Sequence, residues 1–179
     1  MTPTPTEEEI PGQPPPSKTK NSSNFFVRVA TIDDVKHAPK MTSIINSAYK
    51  SDDGWTSNKN IIKGDRTTLQ NIYACLRRSD ETSSAFMCAF TKRDPSSDSS
   101  KKADETAVGT VMIDPMTDSN GNDHYCIFEL FAVNPADQSK SVGAQIMYAA
   151  MAQAKKMGYE AAFLKILDKK TKLRSWVRI

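Results

Sequence analysis

Histidine and cysteine are scarce in this 179-residue sequence, which limits the kinds of site that it can carry. His37 and His124 are the only histidines, so a multi-histidine metal centre is excluded and we expect no metal. The three cysteines, Cys75, Cys88 and Cys126, are odd in number and include no C-x-x-C pair. This spacing argues against a disulfide framework or a zinc site. It favours a reducing compartment, with the thiols buried as small hydrophobes.

Long apolar runs and strong charge are also lacking. No run approaches the roughly 20 residues of a membrane span. The N-terminus is polar and acidic, unlike a secretory signal or a mitochondrial presequence, so we expect a cytoplasmic protein. The net charge is only +3, and the one basic cluster, residues 165–178, is expected to be a solvated helix rather than a nucleic-acid surface. A G-x-x-x-x-G-K-S/T loop is absent, which counts against a nucleotide-binding module.

The sequence divides into a tail and one domain. Residues 1–24 hold most of the prolines and bury too little apolar surface to offset ordering entropy, so a disordered tail is predicted. Within it, Pro11–Pro16 is either a spacer or a Pro-rich docking segment. Residues 25–179 are long enough for one domain with a substantial core.

Hydrophobic periodicity predicts a β-α-α-β-β-β-α-β-α order, an α/β fold with a mixed sheet. The sheet is antiparallel early and parallel for its last two strands. Val35, Ala38, Met41, Ile45 and Ala48 recur at helical spacing, but Pro39 makes that helix start late or kink. Strands are predicted over residues 25–30, 85–91, 107–114, 124–133 and 161–167, and helices over 35–49, 69–77, 143–157 and 171–176.

The stretch 127–144 organises the domain. The apolar run 127–133 is interrupted only by Glu129, and Asn134-Pro135 ends the strand. A loop rich in small residues, 138–143, then leads into a strong helix former. The first amide N–H groups of a helix have no intrahelical acceptor and sit at the positive end of its dipole, so this loop predicts a phosphate site.

These residues resemble the GNAT N-acetyltransferase family. Its signature, Arg/Gln-x-x-Gly-x-Gly/Ala, is matched at Gln138 and Gly143, while Ser141 stands where the family usually has Gly. The resemblance covers residues 25–176 and is closest to a microbial and fungal subgroup. Further similar segments are AVNP at 132–135, Gly158-Tyr159, Asn46-Ser47-Ala48-Tyr49, Gly54-Trp55-Thr56 and Gly64-Asp65-Arg66-Thr67.

The resemblance implies acetyl-CoA as co-substrate. It implies that the fourth and fifth strands splay, so that the pantetheine arm lies beside Phe131, Ala132 and Val133. The pyrophosphate is expected to lie in a cradle made by Gln138, Ser139, Lys140, Ser141, Val142, Gly143 and Ala144.

The resemblance also implies a general base on the fourth strand, and Glu129 is the candidate. The alternatives are that Glu129 faces solvent or lines the acceptor site without moving a proton. Tyr125 lies on the same side of the strand as Glu129 only if no bulge intervenes between them. Trp55 and Arg66 are expected at the acceptor pocket, with core packing for Trp55 and surface capping for Arg66 as alternatives.

The C-terminal residues differ from the family pattern. A general-acid Tyr is expected after the final Leu-x-x-Trp, but Val177 stands there, and the terminal hairpin that covers the fifth strand is missing. We therefore expect a truncated chain in which a second copy, in a homodimer, covers that edge. The functions expected are an N-acetyltransferase acting on an amine of a small molecule or peptide, or an impaired acyl-CoA-binding remnant.

Overall fold

Five strands form one mixed sheet with helices on both of its faces. The computed structural model describes residues 25–50, 64–79, 83–91, 105–117, 121 and 124–165. The strands are β1 (Phe25–Ala30), β2 (Ala85–Thr91), β3 (Ala107–Met116), β4 (Tyr125–Val133) and β5 (Ala161–Leu164). The helices are α1 (Ala38–Lys50), α2 (Leu69–Arg78) and α3 (Val142–Lys156), with short 3₁₀ helices at Ile32–His37 and Pro135–Asp137.

The strands lie in sequence order, and the last pair differs from the others in direction. β1 to β4 pair antiparallel, whereas β4 and β5 are parallel. A parallel pair needs a crossover, and α3 supplies it. The predicted mixed α/β fold is therefore confirmed.

Most predicted element bounds agree with the structure to within a few residues. β1 and β2 are as predicted, β3 runs two residues further, and β5 ends at Leu164. The tail 1–24 and the final helix 171–176 lie outside the described residues. Among the helices that the structure describes, none combines the length and the apolar character that crossing a membrane requires.

The first helix starts late, which is one of the two outcomes predicted from Pro39. The 3₁₀ turn Ile32–His37 comes first, capped by Thr31 and Asp34, and α1 begins only at Ala38. Pro39 then lies in the first turn of α1, where its missing N–H has no cost. The placement of Val35 on the buried face was wrong: its side chain is 43% exposed, because the 3₁₀ turn shifts its phase relative to α1.

The core has two parts, one on each face of the sheet. Helices α1 and α2 pack on one face, which we call the α1/α2 face, and α3 packs on the other, the α3 face. Phe86, Phe90 and Met112 point toward α1 and α2, whereas Met87 and Val111 point toward α3. This alternation along each strand lets both helical layers use the same sheet.

Gly109 allows α3 to approach the sheet closely. A Cβ at this position would lie 2.5 Å from Ile146 Cδ1 and 3.0 Å from the Ala132 carbonyl oxygen. The 2.5 Å contact is shorter than real Cβ atoms make. Helix α3 can therefore pack this closely on β3 because residue 109 has no Cβ. The start of α3 is positioned by this contact.

We expect Gly109→Ala to lower the free energy of unfolding by about 1–3 kcal/mol, because the core must move to admit the methyl group. Urea titration measures the change. Ile146→Val removes the Cδ1 atom that the new Cβ would meet, so the double variant should lose less than the sum of the two single losses. If the two losses in the free energy of unfolding are strictly additive, the contact between the new Cβ and Ile146 does not cause the destabilisation.

Candidate functional site

A bulge interrupts β4 directly after Glu129. Thr110 pairs with Ala132, but Met112 pairs with Glu129, so two residues of β4 stand opposite the one residue between them on β3. Leu130, one of the two, has a left-handed φ of 49°. The buried Thr110 hydroxyl donates to the Leu130 carbonyl at 2.9 Å. This hydrogen bond holds the backbone of the bulge.

The bulge determines which side chains share a face with Glu129. Before it, Phe128 points toward α3, and Glu129 lies beside Met112 on the α1/α2 face. After it, Phe131 points toward α3 again. Tyr125 lies on the same side as Glu129, because the bulge comes only after Glu129. Glu129 is partly exposed, and it lies on the face of the sheet that α1 and α2 cover.

The pairing of β4 with β5 ends just before the bulge. The last paired residues are Phe128 and Leu164. From Glu129 to Val133, β4 continues along β3 without a further strand on its other side among the described residues. The segment 129–133 thus joins Glu129 at one end to the turn before α3 at the other.

The turn after β4 is tied together by its own side chains. The Asn134 side-chain amide donates to Asp137 at 2.7 Å, and Lys140 Nζ forms an ion pair with Asp137 at 2.9 Å. Burial works to raise the pKa of Asp137, but the hydrogen bonds from Lys140 and Asn134 outweigh it and lower the pKa. Gln138 donates its side-chain N–H to the Val133 carbonyl at 3.3 Å. Gln138 and Lys140 therefore shape the turn with their side chains.

Ser139, Lys140 and Ser141, which directly precede α3, are exposed. Ser139 and Ser141 both have left-handed φ values, 64° and 63°. The first helical hydrogen bond runs from Gln145 N–H to the Ser141 carbonyl, so the amides of residues 142–144 precede it. Val142 is only 1% exposed and packs in the core. Gly143 and Ala144 are half-buried and carry no long side chain.

Helix α1 fixes the segment that contains Arg66. The Asn46 side chain both donates to and accepts from the backbone of Thr67, at 3.0 Å each. The Arg66 guanidinium lies 5.5 Å from the centre of the Tyr49 ring, and Lys50 forms an ion pair with Asp65. Arg66 is exposed, so its group is available on this face. Trp55 lies outside the described residues.

Tyr49 connects Arg66 to Glu129. Burial raises the pKa of Tyr49, the Glu129 carboxylate raises it further, and the Arg66 guanidinium opposes the rise. Tyr49 also packs against the same core as Leu130. Tyr49 was not predicted as a site residue, because an aromatic residue at the end of an apolar helix pattern is equally typical of core packing.

Glu129 also lines a cleft of about 500 Å³ on the α1/α2 face. The polar side chains around it include Arg78, Ser84, Asp114 and Lys165. None of these four was predicted as a site residue, because they come from the end of α2, the residue before β2, strand β3 and the residue after β5, and meet only in the folded sheet. The structure therefore places Glu129 between the cleft and the turn at residues 138–144.

Comparison with known families agrees with this architecture. Residues 66–174 match the family model described as the acetyltransferase (GNAT) family. The chain belongs to this family. No curated protein sequence matches it.

Several solved structures share the fold at low sequence identity. An N-acetyltransferase from Thermoplasma acidophilum, in complex with coenzyme A, superposes with a TM-score of 0.61 at 15% identity, covering 85% of both chains. An acetyltransferase from Streptococcus agalactiae gives 0.61 at 12% identity, covering 86% of this chain and 79% of that one. An aminoglycoside acetyltransferase from an uncultured soil metagenomic sample, in complex with sisomicin, gives 0.58 at 9% identity, covering 87% and 86%. At these identities the likeness shows the GNAT fold.

We expect Thr110→Val to loosen the bulge, because it keeps the shape of the side chain but removes the donor to Leu130. The loss should be about 1–3 kcal/mol in the free energy of unfolding. Amide hydrogen exchange over residues 129–133 should become faster. Thr110→Ser retains the hydroxyl and is the matched control. Equal exchange rates in the two variants would show that the hydroxyl does not hold the bulge.

Proposed function

We propose that this chain is an acetyl-CoA-dependent N-acetyltransferase that acts on an amine of a small molecule or peptide. Membership in the GNAT family supports acetyl transfer in general. The observation that carries the finer proposal is the arrangement of β4. Glu129 and the turn at 138–144 lie at opposite ends of one stretch of β4 that β5 does not cover. A single extended ligand running along residues 129–133 would contact both ends.

The turn has the properties that a pyrophosphate requires. Its left-handed residues, Ser139 and Ser141, present backbone N–H groups without long side chains in the way. The N-terminus of α3 adds the positive end of a helix dipole. In our proposal, residues 138–144 hold the phosphates of acetyl-CoA, and the backbone of Phe131, Ala132 and Val133 lies beside the pantetheine. Acetyl-CoA supplies an acetyl group activated as a thioester.

Glu129 is proposed as the general base. A carboxylate oxygen of Glu129 would accept the proton that the acceptor amine releases, directly or through one water. Arg66 and Tyr49 lie on the same face and are proposed to contact the acceptor, together with Trp55. The contacts of Asn46 with Thr67 support this proposal, since they fix the segment that contains Arg66.

An impaired acyl-CoA-binding protein is the second candidate. Val177, where the resemblance implies a general-acid Tyr, is the observation that favours it. The two candidates differ in turnover and not in cofactor binding. Coenzyme A affinity with no thiol release over a broad amine panel would support the second candidate.

We expect Glu129→Gln to lower kcat by about 100-fold or more, because the amide cannot accept the proton. Affinity for coenzyme A should change little, since the turn at 138–144 is untouched. Thiol release and calorimetric titration measure the two quantities. Glu160→Gln, at an exposed carboxylate near the start of β5, is the control. Unchanged turnover in Glu129→Gln would remove Glu129 from the mechanism.

Two substitutions separate the contribution of the Ser141 hydroxyl group from that of its left-handed backbone conformation. We expect Ser141→Ala to weaken coenzyme A binding by about tenfold, because it loses a donor near the phosphates and keeps a left-handed backbone. Ser141→Gly relieves the left-handed conformation and should bind at least as tightly as Ser141→Ala. Calorimetric titration with coenzyme A gives both affinities. Equal affinity of the wild type and Ser141→Ala would exclude a hydrogen bond from the hydroxyl.

A further inference from the structure

The cleft beside Glu129 contains charges of both signs. It lies on the α1/α2 face, since Met112 of that face pairs with Glu129 and Asp114 pairs with Ile127. Arg78 at the end of α2 and Lys165 just after β5 contribute the positive charges. Its volume of about 500 Å³ is sufficient for a small molecule.

Two of these charges compensate each other. One oxygen of Asp114 accepts a hydrogen bond from Arg78 at 2.9 Å, and the other accepts one from Ser84 at 2.9 Å. The Asp114 side chain is only 13% exposed, so it holds Arg78 against the wall of the cleft. The Arg78 side chain remains 46% exposed, and a guanidinium has five N–H donors, so it retains donors for a ligand.

The other two charges, on Glu129 and Lys165, have no oppositely charged partner among the described residues. Lys165 follows Phe163 by two residues, and the Phe163 ring packs edge-on against Tyr125 at 5.7 Å. Lys165 directly follows β5 and lines the same cleft as Glu129. The cleft is thus lined by an acidic residue of β4 and by a basic residue just after the neighbouring strand.

We propose that the acceptor is an amine that also carries an anionic group, a carboxylate or a phosphate. This inference rests on the proposed function, because it places the amine at Glu129. The anionic group lies against Lys165 and the free donors of Arg78. A neutral amine leaves the Lys165 charge uncompensated, and a polyamine places a second cation against it.

Matched amines test the proposal in the full-length chain. Thiol release from acetyl-CoA is measured with β-alanine against propylamine, with O-phosphoethanolamine against ethanolamine, and with putrescine as a dication. We expect at least one anionic amine to exceed its partner in kcat/KM by about tenfold, as one charged hydrogen bond gives. The pair that shows the preference identifies the anion.

Variants at Lys165 test whether the preference for an anionic amine arises from the cleft. Lys165→Gln should abolish the preference for the anionic amine, and Lys165→Glu should shift it toward putrescine. Lys156→Gln, at the end of α3 and outside the cleft, is the matched control and should leave the preference intact. Lys165 is exposed, so these substitutions should leave folding unaffected.

Failure of the inference differs from failure of the proposed function. If neither anionic amine exceeds its neutral partner in kcat/KM, or if putrescine equals the better anionic amine, the inference is overturned and the acetyltransferase proposal stands. If no amine releases thiol, the proposed enzyme activity fails. NMR titration with β-alanine and O-phosphoethanolamine then decides the binding site. Shifts around the cleft that Lys165→Gln removes support it, and no shifts overturn it.

Discussion

The hydrogen bond from Thr110 to the Leu130 carbonyl is the interaction on which the candidate site depends. It stabilises a two-for-one bulge in β4, where an extra residue would otherwise disrupt the ladder. Before the bulge, Glu129 points toward α1 and α2, and after it Phe131 returns to the α3 core. The pairing with β5 also ends at this point. One buried hydroxyl therefore holds the bulge that decides which side chains of β4 share a face with Glu129.

Other parts of the site are positioned by packing against this strand. Gly109 brings α3 close to β3, and the backbone amide of Asn134 is bound by the Val108 carbonyl at 2.8 Å. The turn before α3 is thus fixed relative to the end of β4. On the other face, Asn46 binds Thr67 through two hydrogen bonds, which keeps Arg66 beside Tyr49. Both faces of the sheet therefore contribute to the proposed site around residues 129–133.

The turn before α3 and the cleft beside Glu129 differ in their charged groups. Around the turn, Lys140 is paired with Asp137, so backbone N–H groups are the main positive feature there. In the cleft, Asp114 accepts hydrogen bonds from Arg78 and Ser84, whereas Glu129 and Lys165 form no ion pair with any residue that the structure describes. The two ends of the site therefore suit different chemistry: an extended anionic ligand at the turn, and a ligand with both charge signs in the cleft.

The sequence by itself determined the element order, the mixed sheet and the family. Strand alternation, helical spacing and the segment 138–143 are local patterns, which can be recognised in the amino-acid sequence without knowledge of the tertiary structure. It also pointed to Glu129 as the lone charge in an apolar strand. Only the tertiary structure decided the face on which Glu129 lies, because a bulge is defined by the register with β3 and not by β4 alone. The same holds for the cleft, since Arg78, Asp114 and Lys165 are far apart in sequence and meet only when their strands and helix pack together.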